Sequence, residues 1–149
     1  MRSPSKPLGA WGRIALIWAL FIGVGALFGT AMMWFIPDVM GMNDMLQDMQ
    51  VLPFPNIFFR TLFWPGLFLL IINGITQFIT AALIIRRDPR APFATILCGI
   101  ILMAWILIQF AIFPMNWLST LYFVFGIFQA LLGFLWLRQT RREIRADKY

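Results

Sequence analysis

Four side chains that form hydrogen bonds interrupt an apolar stretch, IINGITQFIT, at residues 71–80. They are Asn73, Thr76, Gln77 and Thr80. The surrounding run, LFWPGLFLLIINGITQFITAALII, is long and apolar enough to cross a bilayer. An unpaired amide in hydrocarbon is costly, so each group needs a partner from another helix or from a wet cavity. The chemistry to explain is therefore the pairing of amides and hydroxyls inside a membrane segment.

The four side chains share one face if the stretch is helical. An α-helix turns about 100° per residue, which places positions 73, 76, 77 and 80 on one stripe. A fifth polar group, Gln129, lies in another apolar segment. Asn73 and Gln129 both lie roughly 15 Å from the outer ends of their segments. We therefore predict that these two amides bond to each other directly or through one water.

Asn73, Thr76, Gln77, Thr80 and Gln129 form the candidate intramembrane polar cluster. Three roles are open for it. The groups can bond packed helices to one another, as small and polar residues do in membranes. They can line a pocket for a lipid or another apolar molecule with a polar end. They can also contact a second copy of the chain.

The composition argues against most catalytic and metal chemistry. The chain has no histidine and one cysteine, Cys98. Without imidazole it offers no usual haem ligand, no His-based metal site, and no Ser-His or Cys-His nucleophilic pair. A single thiol forms neither an intramolecular disulfide nor a CxxC redox pair. We therefore expect no enzyme activity, no catalytic residue, no cofactor and no metal.

The segment after the first apolar run is rich in methionine, and six of the nine methionines fall between Met32 and Met49. Clustered thioethers suit Cu(I). Residues 42, 45, 46 and 49 also recur at helical spacing, which instead favours a short helix on the outer interface with Asn43 as its N-cap.

The stretch IFFRTLF predicts a second interfacial helix, and Pro65 is expected in the first turn of the next span.

The elements that carry these residues are four apolar segments. Hydrophobic residues make up 61% of the 149 and charged residues 12%, against about 25% charged in an ordinary soluble domain. Uncharged segments of membrane-spanning length occur at about 14–35, 65–85, 93–113 and 118–137. The sequence predicts one domain, 1–149, an all-α membrane protein. We expect an antiparallel bundle of four transmembrane helices with short interfacial helices in the outer loop.

Small residues line one side of three of these segments, which lets helix backbones approach closely. They are Ala15, Ala19, Ala26 and Gly29 in the first, Cys98 and Gly99 in the third, and Ser119, Gly126, Ala130 and Gly133 in the fourth. The first segment also follows basic residues, as a secretory signal does. Its apolar run is longer than a signal requires, so we interpret it as a retained helix.

Basic residues are distributed unequally among the connections. The N-terminus, the turn at 86–90 and the tail 138–149 hold eleven of the twelve, and only Arg60 lies on the other side. The positive-inside rule then places both termini in the cytoplasm of a multi-pass protein. The Arg-rich tail is expected to attract anionic membrane lipid. It lacks the base-stacking aromatics of a nucleic-acid site, so no nucleic-acid partner is expected.

The order of features from VLPFP through LFWPGLFLLIINGITQFITAALIIRR to GIILMAWILIQ resembles small bacterial four-helix membrane proteins of unassigned function, similar in layout to DoxX-like bundles. The resemblance rests on Pro65-Gly66, Gly74, Trp105 and Gln109. It implies a bacterial origin and the four-helix architecture. It implies no activity, since no catalytic or binding residue is established for the group.

Two functions compete on these observations. The first is a non-enzymatic protein of the bacterial inner membrane that acts as a scaffold or accessory subunit, with a homo-oligomer or another membrane protein as partner. The alternative is a binder or carrier of a lipophilic small molecule in a pocket near Asn73, Gln77 and Gln129. Ion-coupled transport is disfavoured because the spans carry no acidic residue.

Overall fold

Helices make up almost all of the structure. The computed structural model describes residues 8–38, 41–115 and 117–146, and no β-strand occurs among them. The helices are α1 (Ala10–Phe35), α2 (Met45–Asp48), α3 (Pro55–Phe58), α4 (Phe63–Leu69), α5 (Thr76–Ile85), α6 (Ala91–Ile112) and α7 (Trp117–Ala146). A π-helical segment, Leu70–Ile75, joins α4 to α5, and a 3-10 turn, Met49–Val51, follows α2. The predicted all-α class is confirmed.

Four helical stretches among the described residues are long and apolar enough to cross a membrane. They are Ala10–Phe35, Phe63–Ile85, Ala91–Ile112 and Trp117–Ala146. The predicted spans coincide with them, except that α1 begins earlier and α7 continues nine residues past 137, through the basic tail to Ala146. The four stretches are compatible with an integral membrane protein that crosses the bilayer several times.

A tight turn connects α5 to α6. Arg87 adopts a left-handed backbone conformation with φ 56°, and the Asp88 N–H donates to the Leu83 carbonyl at 2.9 Å, closing the helix end. The Asp88 carboxylate then accepts hydrogen bonds from the backbone and the guanidinium of Arg90, each at 2.9 Å. These bonds lower the pKa of Asp88 from 3.8 to about 2. The turn brings α6 back against α5.

Glycines bring α6 and α7 into backbone contact. A Cβ placed on Gly99 would lie 2.5 Å from the Ala130 nitrogen and 2.7 Å from the Gly126 carbonyl oxygen. A Cβ on Gly133 would lie 2.7 Å from the Ile96 nitrogen. Gly99 thus lies beside Gly126 and Ala130, and Ile96 lies beside Gly133. The small residues predicted on these faces therefore allow backbone approach that no larger side chain permits.

The first helix packs on the second span through small and polar residues. Ala15, Ala19 and Ala26 are all buried. Near the end of α1, the Thr30 hydroxyl donates to the Gly66 carbonyl at 3.0 Å, and the Trp34 indole donates to the Phe63 carbonyl at 3.0 Å. These bonds tie the end of α1 to the beginning of α4.

Two expectations for the loop between α1 and α4 are wrong. Asn43 is not an N-cap, since α2 begins after Asp44 and the Asn43 side chain donates to Asp38 instead. The stretch IFFRTLF is not one helix, because α3 ends at Phe58. Gln50 donates to the Phe59 carbonyl at 3.1 Å, which holds the chain in a bend just after α3. Pro65 lies in the first turn of α4, as predicted.

Candidate functional site

A reciprocal pair of glutamines lies at the centre of the polar cluster. Gln77 Nε2 donates to Gln129 Oε1 at 2.9 Å, and Gln129 Nε2 donates to Gln77 Oε1 at 2.8 Å. Both side chains are fully buried. Each amide satisfies the other's donor and acceptor, which is the strongest arrangement that two neutral amides can form. This pair joins α5 to α7.

The predicted partnership between Asn73 and Gln129 is wrong, because Gln77 occupies the place assigned to Asn73. The two positions are one helical turn apart, about 6 Å along the axis. The π-helical segment winds more residues into each turn than an α-helix does, so it shortens the span and brings Gln77 nearer to the outer end than a residue count indicates. Counting residues from a span boundary cannot resolve that difference.

The threonines of the cluster bond to backbone or to sulfur. Thr76 donates to the Ile72 carbonyl at 2.5 Å, within its own helix. The Thr80 hydroxyl lies 3.1 Å from the Cys98 sulfur, which itself donates to the Thr76 carbonyl at 3.5 Å. These contacts link α5 to α6 and leave the two hydroxyls with partners. Four of the five predicted residues therefore have a structural task.

Asn73 is the exception. Its side chain is 2% exposed, and neither amide atom has a hydrogen-bond partner. Native proteins pair nearly all buried polar side chains, so an amide with both its donor and its acceptor unpaired requires an explanation. Asn73 also lies in the π-helical segment, a local irregularity that is frequent at functional sites. The structure thus separates Asn73 from the other four residues of the cluster.

Asn73 lines a cavity of about 170 Å³, here called the inner chamber, between α1, the second span, α6 and α7. Trp105 lines it too, and its indole Nε1 is buried without a partner. The remaining polar groups of the wall are Gln109, Ser119 and Tyr122. Ser119 donates to Gln109 Oε1 at 3.1 Å. Asn73 and Trp105, which each carry a buried unpaired polar group, therefore line the same cavity.

A larger cavity of about 410 Å³, the outer chamber, adjoins the first. The two share six lining residues, which are Met33, Met45, Leu69, Trp105, Gln109 and Ser119. The rest of the outer wall is apolar and includes Phe54 and Phe58 of the loop and Phe113 at the end of α6. Ligand cavities in proteins measure about 300–1,000 Å³ and are lined mainly by apolar and aromatic side chains. The outer chamber matches that description.

The methionine-rich segment forms part of the chamber walls. Met42 and Met45 line the inner chamber, and Met45 and Met49 line the outer one. Asp44, Gln47 and Asp48 are exposed, so the predicted division into an apolar and a polar face is confirmed. Met40 lies outside the described residues. The choice between packing and Cu(I) binding for these thioethers stays a prediction.

Sequence reasoning named Trp105 only within the family resemblance, and it expected a pocket near Gln77 and Gln129 as well as Asn73. A signal for Trp105 was present, since it is the one tryptophan of the seven that is placed away from the end of a predicted span. Tryptophans normally lie at the membrane interface, so one at depth calls for a local partner. No comparable signal existed for the chambers, because a cavity depends on how the loop folds back over the helices.

The Arg-rich tail forms a second polar surface. Arg138, Arg141, Arg142 and Arg145 line a groove along α7 together with Phe134 and Leu137. These residues are outside the two chambers. The attraction of this surface to anionic membrane lipid stays a prediction.

Comparison of the chain with models of protein families, with curated proteins and with solved structures finds no match in any of the three.

Proposed function

We propose that the chain is a non-enzymatic integral membrane protein of the bacterial inner membrane that binds a lipophilic small molecule in the two adjoining chambers. Its spans form an antiparallel four-helix bundle with both termini in the cytoplasm. The observation that carries this proposal is that Asn73 lines the inner chamber and has a buried amide without a partner. A bound molecule with a polar end supplies the hydrogen bonds that the protein does not.

The binding role narrows the pocket interpretation made from sequence. Gln77 and Gln129 bond to each other, and neither lines either chamber. The pocket is therefore centred on Asn73 and extends towards the loop. The chamber walls contain no acidic residue and no histidine, which supports binding without catalysis.

A scaffold or accessory-subunit role is the second candidate. The Gln77–Gln129 pair and the Thr80–Cys98 contact favour it, because they make the polar cluster a device for holding helices together. That role gives no task to Asn73 or to the chambers. Binding gives a role to Asn73 and to the chambers, and it is compatible with the helix-to-helix bonds of the other residues.

Native mass spectrometry of protein extracted in mild detergent tests the binding role. We expect the wild-type protein to retain a small lipophilic molecule and Gly29→Leu to lose it. Gly29 lines the inner chamber, and its nearest neighbour is the end of the Leu69 side chain, so a larger residue there projects into the chamber. Val24→Leu, on the exposed side of the same helix, is the matched control. Equal retention by the two variants, or co-purifying proteins in place of a ligand, would favour the scaffold.

The topology is tested by labelling single cysteines in intact cells with an impermeant maleimide. In a Cys98→Ala background, Asp44→Cys is expected to react and Glu143→Cys to be protected until the cells are opened. The reason is the concentration of eleven of twelve basic residues at the termini and the 86–90 turn. Both positions are exposed on the protein, so access through the membrane decides the result. The reverse pattern would invert the proposed orientation.

A further inference from the structure

The positions of the polar and apolar walls of the two chambers restrict how a bound ligand is oriented. Asn73, whose amide is unpaired, lines the inner chamber ten residues along the span from Phe63, or roughly 15 Å from that end of the span. The outer chamber, nearer to the loop, is walled by aromatic, proline and aliphatic side chains. A bound amphiphile therefore has its polar end deep and its chain towards the loop, which is opposite to a phospholipid of the outer leaflet.

The wall carries no charge. None of the residues that line either chamber is Asp, Glu, Lys or Arg. An ion placed beside Asn73 would lose its hydration without gaining a counter-ion, and this cost is far larger than that of a neutral polar group. Phosphate and sulfonate headgroups are therefore excluded from the inner chamber.

The unpaired atoms define the end group. Asn73 presents one acceptor, Oδ1, and one donor group, Nδ2, and both are free. The Gln77–Gln129 pair shows how another amide satisfies such a group, with two opposed N–H···O bonds of 2.8 and 2.9 Å. A carboxamide or an undissociated carboxylic acid has the same adjacent donor and acceptor. An ester or a ketone has only the acceptor and leaves Oδ1 unpaired.

The volumes agree with one polar group and one chain. The inner chamber measures about 170 Å³, slightly more than the roughly 150 Å³ that holds a benzene molecule in an engineered cavity. It therefore admits an end group and a few carbon atoms. The outer chamber, at about 410 Å³, takes the rest of a single chain.

We propose, on the basis of the function proposed above, that the ligand is an uncharged single-chain amphiphile ending in a carboxamide or an undissociated carboxylic acid. Its end group forms two opposed hydrogen bonds with the Asn73 amide in the inner chamber. The Trp105 indole, which faces the same chamber, supplies a further donor to the ligand carbonyl. The hydrocarbon chain lies in the outer chamber beneath the methionine-rich loop.

A competition measured by native mass spectrometry tests this inference. Delipidated protein is mixed with equal concentrations of dodecanamide, methyl dodecanoate and dodecane sulfonate, and the occupancy of each is compared. The amide is expected to exceed the ester about tenfold, since one added hydrogen bond to a buried group contributes about one such factor. The sulfonate is expected to remain unbound. Dodecanoic acid should compete with the amide only at a pH low enough to keep it protonated.

Asn73→Leu, which has the same number of side-chain heavy atoms as the native residue, should reduce the amide-to-ester ratio to about one. Ile75→Leu, on an exposed face of the same segment, should keep the wild-type ratio.

If the wild type binds amide and ester equally, or binds the sulfonate as well as the amide, the inference is overturned while the binding function stands. A preference that persists in Asn73→Leu also overturns it. If neither amide nor ester binds, the proposed function itself fails. The wild-type competition decides the matter even if Asn73→Leu does not fold.

Discussion

Gly99→Ala is expected to lower the free energy of unfolding in mild detergent by about 1–3 kcal/mol, although it adds a single methyl group. The added Cβ would lie 2.5 Å from the Ala130 nitrogen, 2.7 Å from the Gly126 carbonyl oxygen and 2.9 Å from the Ala130 Cα. All three are backbone atoms, and none can move without displacing α7. The helices must therefore separate along the contact, which also loosens the neighbouring approach at Gly133.

The melting temperature of the purified variant, compared with wild type, measures this effect. Gly29→Ala is the matched control, because the same methyl group there meets only the end of the Leu69 side chain, at 3.0 Å. That side chain can rotate, so the control is expected to melt close to wild type. Equal melting temperatures for Gly99→Ala and Gly29→Ala would show that α6 and α7 tolerate separation.

The small-residue faces illustrate what sequence patterns can establish. Helical spacing identified Gly99, Gly126 and Gly133 as members of packing faces, because backbone approach in lipid requires small side chains. Spacing alone did not show that α6 and α7 are the pair that meets through them. The choice of neighbour depends on connection lengths and on which faces complement each other in three dimensions.

The polar stripe shows where sequence reasoning fails. A uniform turn of about 100° per residue places positions 73, 76, 77 and 80 on one face, and three of the four are indeed buried. The π-helical segment at Leu70–Ile75 breaks that uniformity just where Asn73 lies. No residue type in this stretch predicts a π-helix. The difference in surroundings between Asn73 and Gln77 therefore depends on tertiary packing. The error in the predicted amide pair follows from it.

The chambers could not be predicted for a related reason. Their walls combine residues from α1, the loop, α4, the π-helical segment, α6 and α7. Sequence placed Met42, Met45 and Met49 on one apolar face but could not say what that face covers. A cavity is the space left after packing, and it has no pattern in the chain.

The second large effect concerns the glutamine pair. Gln77→Met is expected to destabilise the protein by about 1–3 kcal/mol, because it leaves the Gln129 amide buried and unpaired, and Gln129→Met is expected to do the same. Methionine nearly reproduces the shape of glutamine, so packing is preserved. The double variant removes both polar groups together. It should lose much less stability than the sum of the two single losses.

The coupling between the two residues is measured from the melting temperatures of the wild type, the two single variants and the double variant in one detergent. Strictly additive losses of stability would contradict a direct bond between the two side chains. Asn73→Leu is the comparison variant. The Asn73 amide has no protein partner, so its removal leaves no other protein group unpaired. In delipidated protein this variant should be neutral or stabilising, and its effect should add to that of Gln129→Met without coupling. This result would show that Gln77 and Gln129 stabilise the fold. The free-energy cost of burying the unpaired Asn73 amide would then be explained only by a bound ligand. Non-additive effects of Asn73→Leu and Gln129→Met on stability would instead show that Asn73 interacts with Gln129. The main support for a ligand in the inner chamber would then be lost.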